Sequence, residues 1–452
     1  MAVKVTVGNP VLDTKGKLKS RINSIISPVL NINGELNLNF NDLLPFAYNS
    51  EKKVVDFLLI SSYVYAIDRF VNRHENSVDG WSRELEVTLP VYEVDLWSGN
   101  SSHLEDCLSF LTGDYWKVKF TQIILKIPPA KFESNYDLKF SQVNLFSGGL
   151  DSLIGAIDFL DKEKESNLLL VSHYDRQMRG PKKDQEKLYD KLLNNYPNRV
   201  VRVPSVEMFL NAPGINTEKT FRSRSLLFLG IATLVSQFQK CNIVVPENGT
   251  VSLNYPLSAS RRSACSTRTT HPSFIIKVLT LFDSLGIENN IINPYDDKTK
   301  GEMVKECKNS LLLQSIVEES NSCGKRGHVA SWTSRDGKTH CGICMPCIYR
   351  QAALFETVDK TPYGNTINKI TYGKNDRPFF ESKQSQDLAA CLSFLKKDIS
   401  SGQIKNELLI NGVSNLSKIN DYVSLVERSR LELRHWFERE GKKEIKKRLG
   451  ND

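Results

Sequence analysis

Ser147-Gly148-Gly149-Leu150-Asp151-Ser152 is the stretch whose residue types and order can do the most chemistry. Two adjacent glycines let the backbone turn tightly and bring bare amides close to an anion. The serines add hydroxyl donors, and a helix starting here aims its N-terminal N–H groups at the same point. The combination predicts a phosphate cradle. It is not a Walker loop, because no Gly-Lys-Ser/Thr follows the glycines.

A second constellation is Cys341-Gly-Ile-Cys344-Met-Pro-Cys347, with Cys323 upstream. Successive CxxC spacings can converge with a fourth thiol on one tetrahedral ion, and zinc on four cysteines is the reading preferred. An iron–sulfur cluster, His328 or His340 in place of Cys323, or plain reduced thiols are the alternatives. Cys107, Cys241, Cys265, Cys307 and Cys391 lie scattered in apolar segments and read as core.

These residues need a scaffold. Apolar runs at 143–146, 168–172, 200–203, 243–245 and 291–293 alternate with helix-like segments at 185–195, 224–237, 273–285 and 301–308. Short apolar strands separated by helices predict a parallel, doubly wound α/β sheet covered on both faces. Ligands bind such sheets at the carboxyl ends of the strands, where Ser147–Ser152 falls. Residues 1–138 carry no phosphate or metal motif and read as an N-terminal α/β domain. They contain strand-like alternation at 3–7 and 84–94, a buried helix at 53–71, and a helix stop at Gly113. The domain that carries both constellations is placed at 139–360, and a helical C-terminal region at 361–452, with helices at 386–395 and 417–440.

At 452 residues the chain is expected to form about two or three domains. A net charge of +8 suits anionic small molecules but does not support direct nucleic-acid binding. The basic run Lys442–Arg448 reads as a solvated helix end. No apolar stretch is long enough to span a bilayer and no signal-like segment opens the chain, so no membrane partner and a cytoplasmic location are expected. The nine cysteines then read as thiols or metal ligands rather than disulfides.

Ser147–Ser152 resembles the SGGxDS signature of the PP-loop ATP pyrophosphatases, whose sheet is of the adenine nucleotide alpha hydrolase type. Together with the motif running from Cys323 to Arg350, the chain resembles the 7-cyano-7-deazaguanine synthase (QueC)-like family over residues 139–355. Asn293 to Glu302 resembles that family's proline-then-TKxE segment and so places Lys300 in the active site. Phe221 to Phe228 resembles its RNxLF helix start, which places Arg224 there. Three features depart from the usual synthase: a longer spacer between Cys323 and Cys341, Ser225 where asparagine is common, and the two flanking regions. This layout resembles the QueC-like proteins of bacterial anti-phage systems such as Qat. Residues 266–272 resemble that branch too, although Arg268 and His271 could equally form a capping turn before Pro272.

The resemblance implies an ATP-dependent carbon–nitrogen ligase acting on a deazapurine, 7-carboxy-7-deazaguanine. Ser147, Gly148, Gly149, Leu150, Asp151 and Ser152 would hold ATP with Mg²⁺. Asp151, Lys300 and Arg224 would be catalytic, and Ser172 and His173 are candidates for the adenosine side. The acceptor would be ammonia or an amine of a partner protein from the same defence system. An RNA-thiolating PP-loop enzyme and a non-catalytic nucleotide-binding zinc subunit are the competing readings.

Overall fold

The computed structural model describes residues 2–27, 30–131, 136, 138–178, 180–258, 268–326, 337–357, 359–368, 371–372, 375–376 and 386–450. Thirteen strands matter for the site: β1 (Val3–Val7), β2 (Val11–Leu12), β3 (Lys17–Ser27), β4 (Leu30–Asn39), β5 (Glu84–Val91), β6 (Tyr115–Gln122), β7 (Phe140–Leu145), β8 (Asn167–Val171), β9 (His173–Asp175), β10 (Val200–Arg202), β11 (Val206–Asn211), β12 (Asn242–Val244) and β13 (Ile291–Ile292). The five expected core strands form one sheet in the order β10-β8-β7-β12-β13. Every pair in it is parallel.

Chain order reverses at β7. From there the chain winds outward through β8 and β10, then returns to the other side for β12 and β13. In open parallel sheets the crevice at such a reversal is where ligands bind. The loop Ser147–Ser152 leaves β7 and Pro246–Asn248 leaves β12, so the two line that crevice together.

The second sheet runs β6-β5-β1-β3-β4-β11-β9, with β2 on β3. Two of its strands, β9 and β11, come from beyond residue 138. One continuous core extends from Val3 to Ile291, so residues 1–138 and the parallel sheet share their apolar interior. Between the sheets' helices lies Lys52–Phe70, buried from Val54 to Phe70 on every side, which explains why it reads as apolar all round.

That helix also carries charge into the core. Asp68 is fully buried and accepts from Arg83 Nη2 at 2.6 Å and Arg73 Nη2 at 3.5 Å. It also takes the N–H and hydroxyl of Ser223, at 3.1 and 2.8 Å, just before the Arg224–Gln239 helix. Burial alone would raise its carboxyl, but Arg83 and Arg73 outweigh this and hold it near pH 2. A depressed carboxylate stabilises the fold above its unfolded value and loses that contribution as pH falls through the folded one. Asp68→Ala leaves Arg73 and Arg83 with Asp114 as their shared carboxylate partner, and breaking the buried network is expected to cost about 3 kcal/mol in urea unfolding at pH 7.

The C-terminal helices Gln386–Lys396 and Ile419–Glu440 form as the periodicity predicts and pack with the cysteine-rich segment in a separate cluster. Among the described residues, no helix is long and apolar enough to cross a membrane.

Candidate functional site

The cradle begins where β7 ends. Phe146 continues the ladder by donating its N–H to Val171, and the chain then turns through Gly148 at φ +85°. A side chain there would be strained, and its Cβ would press on Gln185 Cγ at 3.3 Å. The two serine hydroxyls lie 3.3 Å apart. Gly149 donates to Ser147 Oγ at 3.3 Å and Ser152 Oγ donates to the Gly149 carbonyl at 3.0 Å. Gly149 opens the helix Leu150–Lys162 without a side-chain cap among the described residues, so first-turn amides are left for an anion. From the other side, Asn321 donates its N–H to the Gly148 carbonyl at 2.8 Å.

Beside the cradle sits a compact charge cluster. Asp151, 6% exposed, pairs with the Lys300 ammonium and accepts from Asn248 Nδ2 at 2.7 Å. Asn248 is fixed in turn because its Oδ1 caps the Gly249–Leu253 helix at Val251. Burial raises the Asp151 carboxyl, but Lys300, Glu247 and Asn248 together bring it below its usual range. Glu247 goes the other way: burial, then the neighbouring Asp151 charge, push it well above the ordinary glutamate value. The pair therefore carries one shared proton on the Glu247 side, the usual outcome when two carboxyls crowd one site. Lys300 opens the Lys300–Lys305 helix behind Thr299, whose capping box with Glu302 fixes the start.

These residues face a cleft of two adjoining chambers. The first, about 290 Å³, is lined by Ser147, Gly149 to Ser152, Asp184, Arg224, Glu247, Lys300 and Arg326. The second, about 440 Å³, shares Ser147, Ser152, Arg224, Glu247 and Arg326 and adds Phe221, Ser225, Phe228, Thr269 and Thr270. Among the described residues, the hydroxyls of Ser225 and Thr270 have no partner. One chamber gathers backbone and side-chain donors that suit a phosphate. The other has aromatic walls with unpaired hydroxyls, suited to a flat, polar-edged ring.

The four cysteines converge. The sulfurs of Cys323, Cys341, Cys344 and Cys347 all lie within 4.8 Å of one another and could hold a metal ion such as zinc. Cys341 and Cys347 are 3.8 Å apart, about the edge of a tetrahedron built on metal–sulfur bonds of roughly 2.3 Å. The amides of Cys341 and Cys344 donate to the sulfurs of Cys323 and Cys341, each at 3.3 Å. Gly342 makes the intervening turn at φ +82°, where a Cβ would lie 2.2 Å from the Asn365 carbonyl oxygen. His340 is engaged elsewhere: its Nε2 accepts from Ser322 N–H at 3.2 Å and its Nδ1 meets Thr339 Oγ1 at 2.8 Å. Burial and then Arg350 and Arg326 depress it to about 2, so it is neutral. Cys323 and Gly324 also wall both chambers, so the cluster abuts the cleft.

The chain matches no family model, no curated protein and no solved structure. What it can do is therefore argued from its own residues.

Ser147, Gly149, Leu150, Asp151, Ser152, Lys300 and Arg224 are brought together on the cleft wall, while Gly148 turns behind it. Ser172 and His173 are not. Ser172 donates to the Phe146 carbonyl at 2.7 Å, and both residues are fully buried. The His173 ring packs 4.2 Å from Phe228, and among the described residues neither nitrogen has a partner. Burial, then the Arg224 charge, push its pKa far down, as expected for a core imidazole. His271 is the N-cap of the Pro272–Leu285 helix, accepting from Ser273 N–H at 3.2 Å, and Arg268 lies over Phe110. His328 and Cys265 lie outside the described residues. Burial raises the thiols of Cys107 and Cys307 to about 12 and of Cys241 to about 11, as inert core thiols.

Sequence reasoning missed Glu247, Asn248, Asp184 and Arg326. Glu247 had a usable signal, since it follows the apolar run 243–245 at a strand's carboxyl end. Asp184 and Arg326, paired at 2.7 Å across 142 residues, had none.

Proposed function

We propose that this chain is a QueC-like PP-loop enzyme that uses ATP to activate the carboxylate of 7-carboxy-7-deazaguanine and passes the acyl group to an amine. The observation that carries the reading is the Ser147–Ser152 cradle at the sheet's reversal, with Asp151, Glu247 and Lys300 beside it and an aromatic chamber next door. A carboxylate oxygen would attack the α-phosphorus, the bond to the β-phosphate oxygen would break, and pyrophosphate would leave. The amine would then attack the acyl carbon, expelling AMP and losing a proton.

Such nucleotidyl transfer depends on positioning and charge stabilisation more than on covalent help. The amides and hydroxyls of Ser147, Gly149 and Ser152 would bind the triphosphate, and Lys300 and Arg224 would offset charge on the departing pyrophosphate. Asp151 and Glu247 fit a hard cation because both offer carboxylate oxygens; they would hold Mg²⁺, which would neutralise phosphate charge. Glu247 would release its proton for this purpose. The four cysteines fit zinc as a structural ion.

The flanking regions favour the anti-phage branch, working in the cytoplasm with other proteins of that system. There the amine could be an N-terminus or lysine of a partner. A secondary amide cannot be dehydrated to a nitrile, so that reaction would stop after one ATP. The RNA-thiolating alternative needs a free cysteine at the cradle. Among the described residues the cleft presents only Cys323, which belongs to the four-thiol cluster.

The test is incubation with ATP and 7-carboxy-7-deazaguanine, with and without ammonia, followed by mass spectrometry. AMP and an amide product are expected. Intact ATP and intact acid under both conditions would favour a non-catalytic nucleotide-binding subunit.

A further inference from the structure

Lys300 owes its place to the far end of the chain. Glu432, on the Ile419–Glu440 helix, accepts from Thr299 Oγ1 on one side of Lys300. On the other side the Gly301 N–H donates to both Glu432 oxygens, at 3.2 and 3.1 Å. A Cβ on Gly301 would lie 2.5 Å from Glu432 Oε2, so glycine is what lets the carboxylate sit against the backbone. One turn earlier, Arg428 donates to Glu302 Oε1 at 2.7 Å and to the Asp297 carbonyl at 2.6 Å. Lys418 and Tyr422 hold Asp296, at 2.7 and 3.2 Å.

The same helix also reaches the loop that carries Asn248. Ser429 Oγ and Thr250 Oγ1 are 2.5 Å apart, and Leu425 comes 2.5 Å from where a Cβ on Gly249 would be. Residues 418, 422, 425, 429 and 432 follow helical spacing and form one stripe. Both segments that grip Asp151, one through Lys300 and one through Asn248, therefore rest on a single helix face. Glu432 lines neither chamber of the cleft.

We propose that Glu432 is a positioning residue that sets Lys300 against Asp151 by holding the Thr299 hydroxyl and the Gly301 N–H on either side of it. The C-terminal helix is thereby part of the phosphate site's working structure rather than an appendage. This rests on the reading of the cleft as an ATP site.

The experiment uses the full chain and measures ATP affinity by calorimetry, pyrophosphate release, and melting temperature. Glu432→Ala is expected to slow release by about tenfold, because a small misplacement of a charge-stabilising group is costly in rate. Glu432→Gln keeps one acceptor oxygen and is expected to lose about threefold. In a Lys300→Ala background, Glu432→Ala should change release by less than about twofold, since residues acting through one another are non-additive. Amide hydrogen exchange at residues 299–303 should quicken in Glu432→Ala. The exposed neighbour Leu431 serves as control, and Leu431→Ala should leave release unchanged.

Release at the wild-type rate in Glu432→Ala, or the same tenfold loss in both backgrounds, would overturn the proposal. If Glu432→Ala does not fold, the same cycle is run with Glu432→Gln, and equal losses with and without Lys300 overturn it. A wild-type chain that binds no ATP overturns the ATP reading itself, an outcome distinct from an additive cycle.

Discussion

Asp151→Asn is expected to retain the fold and to lose about 10³-fold in ATP-dependent pyrophosphate release. The two effects separate because of the proton shared with Glu247. In the native cluster Asp151 is the ionised member, facing Lys300, and Glu247 is held neutral by burial and by that charge. Removing the Asp151 charge removes one reason for Glu247 to stay protonated, so its carboxyl moves back toward its ordinary range. Burial still favours the neutral form, but the nearby Lys300 charge now draws Glu247 toward ionisation, so the ammonium keeps a carboxyl partner. The new amide still offers an oxygen to Asn248 Nδ2. A chain with the proposed chemistry nevertheless loses one of two oxygen donors for a divalent cation, and Glu247 cannot be in both places.

The pH dependence has a defined sign. Glu247 is raised, so the folded chain holds a proton that the unfolded chain has released; its contribution is full below the unfolded value and is lost as pH rises through the folded one. Asp151 is lowered, so its contribution is full above its unfolded value and is lost as pH falls. Denaturant unfolding in the wild type should show stability falling as pH rises above the ordinary glutamate range and falling again below the ordinary aspartate range. In Asp151→Asn the first slope should shrink, and the second should shrink to what Asp68 and other paired carboxylates contribute. Unchanged pyrophosphate release in that variant would make the carboxylate a purely structural partner of Lys300.

Much of this cluster was legible in the sequence, for physical reasons that differ residue by residue. The parallel sheet could be read because its strands are short, apolar on both faces and separated by periodic helices, from Val143 to Ile292. Gly148 betrays the cradle because its positive φ suits glycine, and Cys341 to Cys347 betray the four-cysteine cluster by spacing alone. Lys300 and Arg224 came through resemblance, not through any local pattern. The hairpin of β3 and β4 was not read, since Asn and Ser interrupt its alternation, as in Ser20 and Ser24, which are buried polar residues. Nor could β9 and β11 be assigned to the N-terminal sheet, because strand pairing across more than a hundred residues leaves no local trace. His173 shows the opposite error: a titratable residue at a strand end invites a functional role, yet Phe228 and Tyr65 enclose its ring. Burial decides the matter, and the sequence does not display it.

Disrupting the four-cysteine cluster is expected to weaken ATP binding as well as the fold. The connection is the arm that precedes Cys323. Asn321 donates its N–H to Gly148 in the cradle at 2.8 Å, and its Oδ1 accepts from Cys323 N–H at 3.0 Å. Its amide group also donates to the Thr339 carbonyl at 3.1 Å, so one residue spans cradle, cluster and the segment leading into Cys341. Arg350, on the helix that starts at Met345, anchors the same arm through Ser320 Oγ and the Val317 carbonyl, both at 2.8 Å. A metal ion held by Cys323 and Cys341 would close the loop between them and limit how far Asn321 can move. Without it, four buried sulfurs must either protonate or repel, and the arm relaxes first because Cys323 is its end. Cys341→Ala is therefore expected to drop bound metal from about one ion per chain to a small fraction, and to weaken ATP binding by at least about tenfold. Cys107→Ala, a buried thiol in the other core, should lower stability by about 1 kcal/mol while leaving metal content and ATP affinity intact. Metal content by elemental analysis and ATP affinity by calorimetry on the same preparations check both. If the Cys341→Ala chain has lost its metal and still binds ATP normally, the arm holds the cradle by its hydrogen bonds alone, and the cluster serves only the C-terminal core.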